Sequence, residues 1–312
     1  MKTVIPIKAN DMPIVLKYME HYRRYLNFDN LIIITSGNLE GTVKDYKNIE
    51  IIDEDKMVDG LSFDVLKNYL EKRGAEGRTG WYFQQFLKLG YALTTEDEYY
   101  LIWDADTVPI KPIEMFDING LPSFDIKTEY HKPYFKTIKK LLNLDKTIDG
   151  SFISAHILFK TSFVREIIDE IQEINPSQPW FFNIIDAIDD KDLPYSGFAE
   201  AETYGTYVVN KHPGCYNLRT YDSISCGKKI FGELPSEEVC AWLSNEYSTI
   251  GFENSQEYHL NFKGYNRESF RKRINPKSFV TIAEKLANVI EKPFIFGKKV
   301  IRRIKRILKY NI

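Results

Sequence analysis

Short apolar runs alternate along this chain with segments whose apolar residues recur at helical spacing, and that alternation narrows the fold more than any other feature. Val4-Ile5-Pro6-Ile7, Leu31 to Thr35, Ile49 to Ile52 and Tyr99 to Trp103 have the length and composition of buried strands. Between the first two, Val15, Tyr18, Met19, Tyr22 and Leu26 fall on one helical face, while Lys17, Arg23 and Arg24 fall outside it. Strand, helix and strand in succession predict an α/β fold of Rossmann type, a mixed and mostly parallel sheet flanked by helices.

A second helix is expected from about Tyr82 to Leu93, with Phe83, Phe86, Leu87 and Leu93 inward and Gln84, Gln85 and Lys88 free to point elsewhere. It leads directly into the Tyr99 to Trp103 strand. After Asp106 the pattern loosens through prolines and aromatics, as a substrate-binding insertion does, and tightens again at Ala155 to Phe159 and the helix of Phe163, Val164, Ile167, Ile168 and Ile171. From about Ser278 the pattern is helical, breaks near Pro293 to Gly297 and resumes as KKVIRRIKRILKYNI. The expected organisation is a catalytic domain over residues 1–277 and a basic, amphipathic, helical C-terminal extension over 278–312.

With 312 residues, 43% of them hydrophobic, the chain can bury one large core. A formal charge of −2 makes no general case for nucleic acid. It conceals residues 298–312, which carry seven Lys or Arg and no acid, so that the remainder stands at about −9. There Ile301, Ile304 and Leu308 form a stripe among Arg302, Arg303, Lys305, Arg306 and Lys309, a pattern suited to an anionic membrane surface or to a solvated terminal helix. Cys215, Cys226 and Cys240 form neither a CxxC pair nor a disulfide framework, which fits a reducing compartment. No run approaches the ~20 apolar residues of a spanning helix. The expected location is cytoplasmic, with attachment limited to the inner face of the plasma membrane.

The sharpest motif is the apolar strand that ends in Asp104-Ala105-Asp106. Ligands of open α/β sheets gather at the carboxyl ends of strands. Two carboxylates at the ends of one tripeptide can meet one hard divalent cation, Mn²⁺ or Mg²⁺, which would bridge diphosphate oxygens and offset their charge. An ordinary strand-end turn uses the same residues.

In this context YLIWDADTVPIKP resembles the DxD strand of GT-A glycosyltransferases. Together with GWYFQQFLKLG, FISAHILF and GFAEAETYGTYV, it resembles a glycosyltransferase-like family found among bacterial surface-polysaccharide genes, over roughly Thr3 to Asn266. The resemblance implies transfer of a hexose-type sugar from a nucleotide donor, with a UDP-sugar expected, to a surface glycan or its lipid-linked precursor. It implies Asp104 and Asp106 as metal ligands, with His259 as a third and Lys263 on the diphosphate. Asp11 and Asp53, each following a strand, become contacts to the base or ribose, or remain loop acids and helix caps. Gln84, Gln85 and Lys88 become donor contacts or a solvated helix face, with Gln84 and Lys88 sharing a face at i and i+4. Glu202, with Glu200 beside it, is the expected base that takes the acceptor proton in an inverting reaction, although a first-turn Glu is also favoured by the helix dipole alone. His131 and Tyr134, beside Tyr130, and His156 are acceptor-side candidates. His156, flanked by apolar residues, equally suits a core histidine.

Two other classes share some of these residues. Asp104 and Asp106 after a strand also resemble the nucleophile motif of haloacid-dehalogenase-like phosphatases, with Asp189-Asp190 in place of the later acids, but that motif follows the first strand of its domain and here three candidate strands precede it. A non-catalytic sugar-nucleotide-binding protein would need the acids only for structure.

Overall fold

The computed structural model describes the chain apart from residues 27, 38–42, 44–45, 221, 254–258 and 291–312. The expected break at Pro293 to Gly297 and the basic stretch 298–312 lie outside the described residues. In chain order the elements are β1 (Lys2–Pro6), α1 (Met12–Tyr25), β2 (Asn30–Thr35), β3 (Ile49–Asp53), α2 (Phe63–Glu71), α3 (Thr79–Gly90), β4 (Tyr99–Trp103) and β5 (Thr107–Pro109). They continue as β6 (Ser123–Ile126), α4 (Lys132–Leu142), β7 (His156–Lys160), α5 (Thr161–Ile174), α6 (Trp180–Ala187), α7 (Glu200–Lys211) and β8 (Asn217–Thr220). The last are β9 (Ser223–Ile224), α8 (Gly227–Phe231), α9 (Glu237–Leu243), β10 (Thr249–Gly251), α10 (Glu268–Arg271) and α11, residues 276–290.

Two compact units emerge, Met1–Ala105 with Glu114–Tyr221, and Asp106–Ile113 with Asp222–Ile312. The boundary expected between 277 and 278 falls inside the second. The first unit holds a five-stranded sheet in the order β3-β2-β1-β4-β7, parallel except for antiparallel β7 at the edge. Leu31, Ile32, Ile33 and Ile34 are buried on successive, opposite faces of β2, as a parallel strand covered by helices on both sides requires. From β1 the strand order runs to β2 and β3 on one side and to β4 on the other. Between β1 and β4 it therefore reverses, which opens a crevice at their carboxyl ends.

α3 is buried nearly all round. Its Phe86 packs against Trp180, Phe181 and Phe198 at ring-centroid distances of 5.6, 6.2 and 6.2 Å. Such aromatic contacts each add to the area buried and hold the helix against α6 and the segment that leads into α7. At the far edge, β7 pairs with β4 so that Trp103 faces His156, and the Asp104 N–H extends the ladder to the Ala155 carbonyl at 2.8 Å.

In the second unit, β10 joins antiparallel β5 to parallel β9. Phe231, Tyr265, Phe279 and Trp242 form an aromatic core beside it. α11 starts two residues before the expected Ser278, because the Asn275 side chain accepts from the Ser278 N–H at 2.8 Å and Pro276 suits a first helical turn. Among the described residues no helix is long and apolar enough to cross a membrane.

Candidate active site

Helix α3 packs along the sheet, with Lys88 over the start of β4, and its polar side chains reach the carboxyl ends of β1 and β4. Gln84 donates to the Pro6 carbonyl at the end of β1, 3.1 Å away. One turn on, Lys88 Nζ donates to Asp104 Oδ1 at 3.0 Å and to Glu200 Oε1 at 2.9 Å. The i, i+4 spacing puts both side chains on one face of α3. The Lys88 carbonyl accepts from the Tyr100 hydroxyl at 3.0 Å, which ties the helix to the strand it overlies. Gln85 Oε1 accepts from the Glu200 N–H at 3.2 Å and so seats the start of α7.

Exposure grades these charges. The side chains of Lys88 and Glu200 are 7% and 6% exposed, and Asp104 is 34% exposed. Burial alone would lower the titration of Lys88, but Asp104 and Glu200 more than reverse that and hold it above the usual lysine range. A permanent buried ammonium thus stands between two carboxylates, with Asp104 as the edge that opens to solvent. Tyr22 donates to the Ala105 carbonyl at 2.7 Å and fixes the turn that follows.

Glu202 lies about 200° round α7 from Glu200, given ~100° per helical residue. Its Oε2 accepts from the Ser151 hydroxyl and from the Phe152 N–H at 3.2 Å. Oε1 has no hydrogen-bond partner, although the residue is 1% exposed. Burial pushes the Glu202 titration up, against the opposing effects of Ser151, Phe152 and Lys146. Gly205 explains how Phe152 comes so near: a Cβ there would lie 2.1 Å from the Phe152 ring. Gly197, at the head of the same motif, lies against Ile188, where a Cβ would come within 2.2 Å. The motif GFAEAETYG therefore depends on two close approaches as well as two acids.

The structure brings Lys88, Asp104, Glu200 and Gln85 together and leaves Glu202 on a separate face. Asp11 precedes α1, and its side chain makes no cap bond to it. Asp53 accepts from the Asp55 N–H at 3.1 Å and pairs with Lys56 at 2.7 Å, which lowers its titration. Beside it Glu54 is pushed up to about 7, first by burial and then by Asp55. His131 Nε2 bonds the Ser196 carbonyl at 2.8 Å, with its ring 4.4 Å from that of Tyr134. His156 is buried, stacked on Trp103 at 4.9 Å and 2.7 Å from Asp125, which also takes Arg219 at 2.6 Å. Burial, an aromatic stack and one carboxylate contact at Nε2 place this histidine in the core. In the second unit the Phe252 N–H donates to the Asp106 carbonyl at 2.7 Å. Lys263 donates to the Phe231 carbonyl at 3.2 Å, while His259 is exposed beside Gly232.

Sequence reading missed Ser151, Asp125 and Arg219, which have no local pattern to announce them. Asp189 pairs with Lys136 and Lys140, and Asp190 with Arg73, so these acids tie elements together. Hard carboxylate oxygens, one of them part-exposed at a strand end, fit a divalent cation that completes its shell from phosphate and water. They do not fit a cation caged by protein alone, because no three His, Cys, Asp or Glu among the described residues group as a metal site.

The sequence pattern of a family described as "Family of unknown function (DUF6492)" matches residues 6–211. No curated protein matches the chain. Among solved structures it is similar to mouse xyloside xylosyltransferase 1 in its apo form, at 12% identity and a TM-score of 0.43, over 82% of this chain and 99% of that one. It is also similar to the galactosyltransferase LgtC in complex with donor and acceptor sugar analogs, at 10% identity and a TM-score of 0.45, over 88% and 96%. The bifunctional glycosyltransferase WbbM in its apo form shares 11% identity at a TM-score of 0.43, over 81% and 46%.

Proposed function

The chain belongs to the DUF6492 family of unknown function, and from its residues we propose that it transfers a hexose from a nucleotide sugar, a UDP-sugar in the first instance, to a surface polysaccharide or lipid-linked glycan. The observation that carries the reading is Asp104, which stands at the carboxyl end of β4 beside the strand-order reversal and is backed by the buried ammonium of Lys88. A crevice of this kind receives nucleotides in open α/β sheets.

In this reading Asp104 and Asp106, one residue apart in the chain, hold Mn²⁺ or Mg²⁺, and His259, which does not group with them among the described residues, is a further ligand only with the cation bound. The cation, when bound, offsets the charge on the departing nucleoside diphosphate. Lys88 orients Asp104 and keeps one of its oxygens engaged, while Asp11, Asp53, Gln84, Gln85 and Lys263 border the donor. Glu202 takes the acceptor proton at Oε1, the oxygen that has no protein partner. A carboxyl whose titration is raised by burial binds a proton more readily, which suits that task. Inversion follows if the acceptor oxygen attacks the anomeric carbon directly. Residues 298–312 are assigned, on sequence alone, to an anionic membrane surface.

Thermal-shift titration with UDP, GDP, CMP and their sugars, with and without Mn²⁺, tests this. Stabilisation by one nucleotide family that requires Mn²⁺ is expected, since a ligand of the native state raises its stability. The absence of any nucleotide response would end the transferase reading. Glu202→Gln is expected to keep donor binding and lose transfer.

A further inference from the structure

We propose that the acceptor side of this site has a subsite for an acidic sugar, with Tyr130 and Phe135 as the stacking platform and Lys146 as the cation. The inference rests on the reading of Glu202 as the acceptor's base. Tyr130 is 63% exposed, an unusual condition for a tyrosine, and its ring stacks on Phe135 with centroids 5.0 Å apart and planes 11° apart. An exposed Tyr130 ring backed by the half-buried Phe135 offers an apolar surface that the C–H face of a pyranose can cover, with the phenolic end left wet.

Lys146 supplies the charge. Its Nζ lies 5.5 Å from the Tyr130 centroid and 5.2 Å from that of Phe135, and it donates to the Gly150 carbonyl. Three lysines of α4 are neutralised: Lys136 and Lys140 by Asp189, Lys139 by Asp145. Among the described residues Lys146 has no carboxylate within ion-pair distance. A half-buried cation with an aromatic floor and no counter-charge suits a carboxylate or phosphate on a sugar ring.

Position connects the platform to the chemistry. Gly150 precedes Ser151, whose hydroxyl holds Glu202. Lys127 and Ser151 exchange backbone hydrogen bonds of 2.9 and 2.8 Å, so the strand that leads to Tyr130 runs beside Ser151. The field of Lys146 reaches the Glu202 carboxyl and opposes the effect of its burial. An orphaned oxygen on a buried carboxyl thus has, on neighbouring backbone, an exposed ring platform and an uncompensated cation.

The test uses saturation-transfer NMR on the full chain with three probes: methyl glucuronoside, glucose 1-phosphate and methyl glucoside. At least one acidic probe should bind about tenfold tighter than the neutral one, the order expected of a charge-assisted contact. Lys146→Met should erase that preference and retain neutral-sugar binding, and Tyr130→Ala should weaken all three. Tyr130 is exposed and Lys146 half-buried, and unchanged unfolding midpoints would confirm that the variants fold. Whether glucuronoside or phosphate gains more identifies the anion. Equal binding of all three probes, binding of none, or a preference that survives Lys146→Met would overturn the proposal. No donor or metal enters the measurement, so its failure and a failure of the nucleotide titration are separate results.

Discussion

The first turn of α7 carries two glutamates in opposite circumstances. Around Glu200 every charge is answered: its carboxylate meets Lys88, Lys88 meets Asp104, and Gln85 takes the backbone N–H. Around Glu202 the donors are neutral, one oxygen has no partner, and burial raises the titration. Two residues of helix rotation separate an acid that shares the Lys88 ammonium with Asp104 from one that keeps an oxygen without a partner. Environments that push like groups apart are how one site obtains both a fixed charge and a proton acceptor. The contrast also locates rigidity, since a buried, fully paired triad tolerates little movement and a half-paired carboxyl can exchange partners.

Lys88→Met attacks the first side directly and should have the largest effect. It strands Glu200 as a buried charge and frees Asp104, at a cost of about 3–5 kcal/mol in urea unfolding. Adding Glu200→Gln removes the stranded charge and should recover part of that loss, so the pair should be less than additive. A loss of less than about 1 kcal/mol from Lys88→Met, within the range of an exposed pair, would break the comparison.

How far these partnerships can be read in advance differs with the feature. Strands β1 to β4 are legible almost to the residue, because an apolar run bounded by polar residues has few other uses. The direction of β7 and the three-residue strands of the second unit are not, since runs so short carry no period. Asp104, Lys88, Glu200 and Glu202 stand out in the sequence as residue types at suggestive positions. Their pairing does not: Lys88 and Glu200 are 112 residues apart, and helical spacing gives the face a lysine occupies but not its neighbour. For that reason the sequence assigns Lys88 to the donor, while the structure engages it with Asp104 and Glu200. Ser151 shows the limit, as a small polar residue whose side chain matters through a contact with α7 that no local pattern announces. His156 was legible in one sense, through its apolar flanks.

Gly205→Ala sharpens the second side of the comparison. The added Cβ would meet the Phe152 ring at 2.1 Å, and Phe152 must move to admit it, taking along the N–H that Glu202 accepts. Overpacking of this kind costs about 1–3 kcal/mol. Phe152→Ala in the same chain should relieve much of the clash, and strictly additive losses would show that Phe152 is not what excludes the side chain. Because Glu200 lies on the other face, its contact with Lys88 should persist. The way to check this is to compare Lys88→Met in the wild-type and Gly205→Ala backgrounds, where the two changes should add.

The smallest effect discriminates most finely. A carboxyl whose folded titration is raised by burial holds its proton more tightly in the folded chain than in the unfolded one. Its contribution is therefore fully present below the ordinary glutamate value and is lost as pH rises through the higher folded value. Glu202→Gln cannot ionise and lacks this loss, so relative to wild type it should gain stability as pH increases from the acid side toward neutrality. Glu200→Gln offers the contrast, since it removes a charge partner of Lys88 and should be destabilising at neutral pH. Urea midpoints of the two variants and wild type across that range decide the matter. Opposite trends support two acids with separate duties, whereas a pH-independent offset for Glu202→Gln would mean that the protein answers both carboxylates alike and that the proton acceptor must be sought elsewhere.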